Sequence, residues 1–209
     1  MSFYFFIKSW VLGFIIAAPI GPIGMLCIRK SLEHGMAGAF SVAIGATCGD
    51  ATYGFVAAFG IGIIAHFFTQ HVCLIQLFSG FFLLYFAIKE LQRPHPSPTQ
   101  SVRFRGILRF SAIVFLLTLS NPMTILPFIS IFASISSETR SIGESLMLVT
   151  GIASGSLTWW LLLGCTVALL KSRLPNSYIR KIRYLSAATI GAFGVWALIG
   201  GLRFFSNSH

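Results

Sequence analysis

Acidic residues are scarce in this chain: five Asp and Glu among 209 positions, with charged residues of both signs together only 10%. A soluble domain of this length must cover its surface with polar side chains, so the shortage excludes one, and 56% hydrophobic residues point to an integral membrane protein. Paired cysteines are also missing. Cys27, Cys48, Cys73 and Cys165 are scattered through apolar runs without ligand spacing, which argues for free buried thiols over a disulfide framework or a metal site. No Ser/His or paired-Asp constellation falls inside the apolar runs, so neither catalytic residues nor a cofactor are expected. The net charge of +10 lies between apolar runs and not along one face, which sets nucleic acid aside as a partner. The first ten residues carry only Lys8 and no small-residue cleavage pattern, so the first apolar run is expected to be retained.

What is present is length in apolar runs. A membrane helix needs about 20 mostly apolar residues, and six stretches qualify: 10–28, 37–67, 74–88, 107–133, 146–170 and 184–205. The expected fold is an all-α polytopic membrane protein of six transmembrane helices. Basic residues crowd the odd connections (Arg29 and Lys30; Lys89, Arg93, Arg103, Arg105 and Arg109; Lys171, Arg173, Arg180, Lys181 and Arg183), and the even ones hold only Arg140. By the positive-inside rule the odd connections are cytoplasmic and both termini lie outside the cytoplasm. The third contains Arg93-Pro94-His95-Pro96-Ser97-Pro98, an extended linker. It divides the chain into a repeat over 1–90, a basic proline-rich linker over 91–106 and a second repeat over 107–209.

The halves match weakly but in order. Gly45, Gly49, Thr52 and Tyr53 in the second run line up with Gly151, Gly155, Thr158 and Trp159 in the fifth; Gly21-Pro22 pairs with Asn121-Pro122, and Gly80 and Tyr85 pair with Gly191 and Trp196. Three spans per half invert the second copy, so the expectation is an inverted repeat with proline-broken helices 1 and 4, its site near the bilayer midplane between the breaks. The glycine faces of the second and fifth runs are expected to pack these two helices together.

Ile20-Gly21-Pro22, the basic Ile28-Arg29-Lys30-Ser31-Leu32-Glu33-His34-Gly35, Gly49-Asp50, Leu119-Ser120-Asn121-Pro122 and Ser156-Leu157-Thr158-Trp159 together resemble the LysE/RhtB family of amino-acid exporters. The resemblance covers essentially the whole chain. It implies a bacterial inner-membrane protein that exports an amino acid or a derivative, by exchange with protons. Members of that family often carry a polar Asn or Gln just after the Gly-Pro element, where Ile23 and Gly24 stand here, so this segment is expected to meet substrate through its main chain.

Asp50 is the acidic residue deep inside a span, and a charge there is costly unless it finds a partner, water or a proton. A proton and a substrate ammonium can each neutralise it, so the two can compete for one site, which is antiport in outline. The candidate substrate-binding residues are therefore Pro19, Gly21, Pro22, Asp50, Asn121, Pro122, Ser156 and Trp159, with Asp50 as the proton-coupling group; Trp160 stands beside Trp159 as an alternative for lining the cavity, and the plainer reading of Asp50 is a structural hydrogen bond to Thr47, Thr52 or Ser156. The partners are a small zwitterionic substrate, protons and the lipid bilayer, with monomer and homodimer both open. Competing readings are a cation or metal-ion efflux carrier, an intramembrane enzyme and a non-transporting scaffold. Arg29, Lys30 and Glu33 at the inner mouth read first as orienting charges, and secondarily as a gate closed by an Arg29–Glu33 pair.

Overall fold

Prolines decide where the first apolar run stops being a helix. In the computed structural model, which describes residues 2–19, 21–59, 70–92, 104–121, 124, 127–128, 141–173 and 175–207, helix α1 (Ser2–Ala17) ends just before Pro19 and helix α2 (Pro22–His34) starts on Pro22. Proline at the first helical position loses nothing by lacking an N–H. Gly21 caps α2 from an extended conformation (φ −94°, ψ −159°), and its own N–H turns back to the Pro19 carbonyl at 2.9 Å. The two helices meet at 82°. Gly35, at φ +61° and ψ −140°, then reverses the chain in a single residue, a conformation that side chains other than hydrogen rarely accept.

Helices α3 (Met36–Ala58), α4 (Val72–Gln92), α5 (Phe104–Ser120), α6 (Ile142–Leu170) and α7 (Asn176–Asn207) complete the described architecture, with a 3-10 turn (Lys171–Arg173) after α6. α5 stops at Asn121, the residue before Pro122, where proline disfavours helical angles in its predecessor. α6 starts on a reciprocal cap: the Glu144 N–H donates to Ser141 Oγ at 3.3 Å and the Ser141 N–H to Glu144 Oε2 at 3.1 Å. Among the described residues, Ile142–Leu170 and Tyr184–Arg203 are each long and apolar enough to cross a membrane, and α1 with α2 passes the same test of length and composition only when the bent pair is taken together. Cys73–Lys89 and Gly106–Ser120 are apolar but shorter. The expected outer ends of the second and fourth runs fall largely outside the described residues, as does Pro122.

α3 lies between α5 and α6, α1 packs along α6, and α4 packs along α7, while α2 sits over α3, α6 and α7. The core gathers around α2 and α3: Leu26, Cys27, Val42, Ala43, Ala46 and Val114 are at most 1% exposed. Large apolar side chains such as Phe3, Phe78, Phe81, Leu162 and Leu169 point outward, as expected of a surface that meets lipid. One expectation is corrected. Gly45 and Gly49 do not face the fifth run: a side chain there would meet Ser111, Val114 and Thr118 of α5, and one on Gly151 or Gly155 would meet Ser9 and Trp10 of α1. The expected packing of α3 along α6 is present, but through other surfaces, because each turns its glycine stripe to the neighbour whose backbone comes closest.

Candidate functional site

The break between α1 and α2 and the end of α5 face one another across a cavity of about 270 Å³. Ile16, Ala17, Pro19, Gly21, Ile23 and Gly24 line it from the first run, Asp50 from α3, Thr118, Asn121, Thr124 and Pro127 from α5 and its continuation, and Trp160 from α6. A straight helix in the first run would leave no room for it, so the prolines that end α1 also make the space.

Asp50 is 4% exposed, and its Oδ2 accepts a hydrogen bond of 2.6 Å from Ser156 Oγ on α6. Ser156 is fully buried, so its hydroxyl is committed to that carboxylate. Trp160, one helical turn further on, is 4% exposed, and its indole N–H lies beside the Asp50 carboxylate without meeting strict hydrogen-bond geometry to any described residue. The opposite wall is fastened from α3 as well. The Tyr53 hydroxyl donates to the Leu119 carbonyl at the last turn of α5, and its ring stacks on Phe128 at 5.3 Å. Gly49 presses its bare Cα against Thr118, which brings the end of α5 beside the turn that carries Asp50.

Of the residues singled out from sequence, Pro19, Gly21, Asp50 and Asn121 line the cavity, and Ser156 stands behind Asp50. Pro22 is buried at the start of α2, where with Asn121 it lines a separate small void against Leu83, Phe86 and Ile190. Trp159 is turned away from the cavity and meets Phe14 of α1 edge to face at 5.3 Å. Trp160 takes the place in the wall, together with Thr118 and Thr124. The signal for Trp160 was in the spacing: it follows Ser156 by four residues and so shares its helix face, which Trp159 does not.

A second group of charges sits at the far end of α2, past the apolar run 10–28. Arg29 Nη2 lies 2.6 Å from Glu33 Oε1 and Lys30 Nζ 2.8 Å from Glu33 Oε2, with all three side chains at most 7% exposed. Lys171 Nζ donates to the Glu33 carbonyl at 3.0 Å, tying the end of α6 to the end of α2, and Lys30 Nζ stands 5.0 Å from the centre of the Phe110 ring. Burial pushes the Glu33 carboxyl up, but Lys30 and Arg29 outweigh it and hold the group below the usual carboxylate range. His34 is pushed down by burial and by Lys30, so its approach to Glu33 is that of a neutral ring.

Comparison with known proteins adds a family to this geometry. Residues 14–201 match the LysE type translocator family. The chain is 27% identical over 205 residues to the "Putative amino acid efflux protein YcgF" of Bacillus subtilis, covering 95% of this chain and 97% of that protein. It is 29% identical over 183 residues to the "Uncharacterized membrane protein YahN" of Escherichia coli, covering 82% of this chain and 77% of that one. No solved structure matches it significantly.

Proposed function

The chain belongs to the LysE type translocator family, and on that premise we propose that it is a secondary active exporter that carries an amino acid or a derivative outward across the bacterial inner membrane in exchange for protons. The observation that carries the reading is Asp50: a buried carboxylate that accepts a hydrogen bond from the neutral Ser156 hydroxyl, on the wall of a cavity between two helix breaks. A carboxylate so placed can hold a proton or a substrate ammonium, but not both, and that exclusion couples their movements. The other end of a zwitterion finds the first turn of α2, where Ile23 and Gly24 line the cavity and no side chain caps the helix. The N–H groups and positive dipole end there suit a carboxylate.

The architecture of the proposal is six spans in two inverted repeats, over 1–90 and 107–209 with the linker 91–106 on the cytoplasmic side and both termini outside. The pattern of neighbours supports it. With α1 and α2 as span one and α3 to α7 as spans two to six, exchanging spans one, two and three with four, five and six carries several of the described neighbours into one another: α3 on α5 becomes α6 on α1, α2 on α7 becomes α5 on α4, and α3–α6 and α4–α7 are unchanged, whereas α2 on α3 has no counterpart among the described contacts of α5 with α6. The glycine contacts follow the same exchange, Gly45 and Gly49 on α5 against Gly151 and Gly155 on α1.

The test is flux. Protein reconstituted in vesicles with an imposed pH gradient should move at least one amino acid of a broad panel against its own gradient, and a protonophore should abolish that movement. Flux indifferent to the pH gradient across the whole panel would sink the antiport reading.

A further inference from the structure

We infer that the cavity selects substrates whose charge is confined to one ammonium and its zwitterionic carboxylate, with an uncharged side chain seated against Ile16, Ala17, Ile23 and Trp160. The inference rests on the exporter reading for its substrate class, but not for the charge argument. Among the described residues that line the cavity Asp50 alone is ionisable, and the rest offer hydroxyls and an amide (Thr118, Asn121, Thr124) or apolar surface. One carboxylate balances one ammonium, and the start of α2, worth roughly half a positive charge, balances one carboxylate. A second ammonium, as in a dibasic amino acid, or a second carboxylate, as in an acidic one, would enter a largely apolar space whose described lining offers it no counter-charge, which is the costly case for a buried ion.

Neutral side chains meet no such cost. A hydroxyl or amide can bond to Thr118, Asn121 or Thr124, and an aliphatic chain can bury against Ile16, Ala17 and Ile23. The volume, about 270 Å³, is below the usual range for ligand pockets, roughly 300–1,000 Å³, which favours small substrates. Ala17 serves for the selection by size, since it contributes a single methyl group to the wall and a longer side chain there would take up cavity space. Thr124 stands at the selection by charge, because it is half-buried and can carry a new carboxylate facing the same space.

Binding is read directly from the melting temperature of the purified protein in detergent, because a ligand that prefers the folded state raises it by an amount that grows with the logarithm of its concentration over Kd. L-alanine, L-threonine, L-leucine, L-lysine and L-glutamate are titrated in parallel. At least one neutral amino acid should bind tenfold or more tightly than lysine and glutamate. Thr124→Asp should then improve lysine relative to that neutral ligand by about tenfold, and Ala17→Leu should weaken leucine more than alanine. Equal or tighter binding of lysine or glutamate in the wild type, no stabilisation by any of the five, or an unchanged lysine ratio in a folded Thr124→Asp protein would each overturn the inference; Ala17→Leu keeps it testable if Thr124→Asp does not fold. Selective binding of neutral amino acids without pH-driven flux would instead overturn the exporter reading and leave this one standing.

Discussion

Two buried carboxylates in this protein, Asp50 and Glu33, have opposite surroundings. Asp50 has a neutral hydroxyl at 2.6 Å and a cavity in front of it. Glu33 has two cations, Arg29 and Lys30, at 2.6 and 2.8 Å, and a third, Lys171, on its carbonyl. A charge compensated from inside the protein is committed, and it locks helices together. A charge without a fixed cation can exchange partners, which is the property a transport site needs. Burial is common to both, so burial alone does not mark function; the company of the charge does.

Several changes would break or sharpen this contrast, and Asp50→Asn should have the largest effect. It preserves shape and the Ser156 contact but removes both the charge and the proton, so pH-driven export should fall by about a hundredfold or more while the melting temperature holds or rises. Export in reconstituted vesicles, run beside a melting curve, checks both halves. At the other carboxylate the outcomes should be reversed. Glu33→Gln leaves Arg29 and Lys30 buried without their counter-ion and should cost on the order of 3–5 kcal/mol of stability. If Glu33→Gln melts like the wild type, the cluster is not a lock.

A smaller effect is expected at Gly35, where alanine would be forced to positive φ; about 1–3 kcal/mol should be lost, seen as a lower melting temperature with cavity binding unchanged. Ser156→Ala should cost about 1–3 kcal/mol and shift the pH dependence of export, since Asp50 loses its hydroxyl donor. The mildest perturbation is pH itself. Because Glu33 is held below its ordinary value of 4.5, its contribution to stability is complete above about pH 4.5 and is lost as pH falls through the lower folded-state value. Melting curves of wild type and Glu33→Gln should therefore converge on acidification below that point, and curves that stay parallel would count against the cluster.

Much of the site was legible in the chain because polar and helix-breaking residues stand out against apolar runs. Asp50, Pro19, Gly21 and Asn121 were visible for that reason, and all four line one cavity. Neighbour identity was legible in part: the second and fifth runs were expected to pack together and they do, with Asp50 beside Ser156, but not through the glycines. Gly45 and Gly49 announce a face made for close approach, but the stripe carries no mark of its partner, and α5 took the place expected of α6. Trp159 and Trp160 differ by one position, about 100° around a helix, and only the seating of α6 on α1 sends the first toward Phe14 and the second into the cavity. Tyr53 looked like half of a repeat match, and its bond to the Leu119 carbonyl depends on where α5 ends in space.

From sequence alone came the membrane class, the break at Pro19 to Gly24, the lone intramembrane carboxylate and the resemblance that the family match upheld. These are properties of composition and local backbone chemistry, which act over a few residues. The meeting of Asp50 with Ser156, 106 positions apart, the choice of Trp160 over Trp159, and the pairing of Glu33 with Lys171 belong to the tertiary structure. Helix faces meet according to which backbones can approach most closely, and that is settled by all the helices packing together.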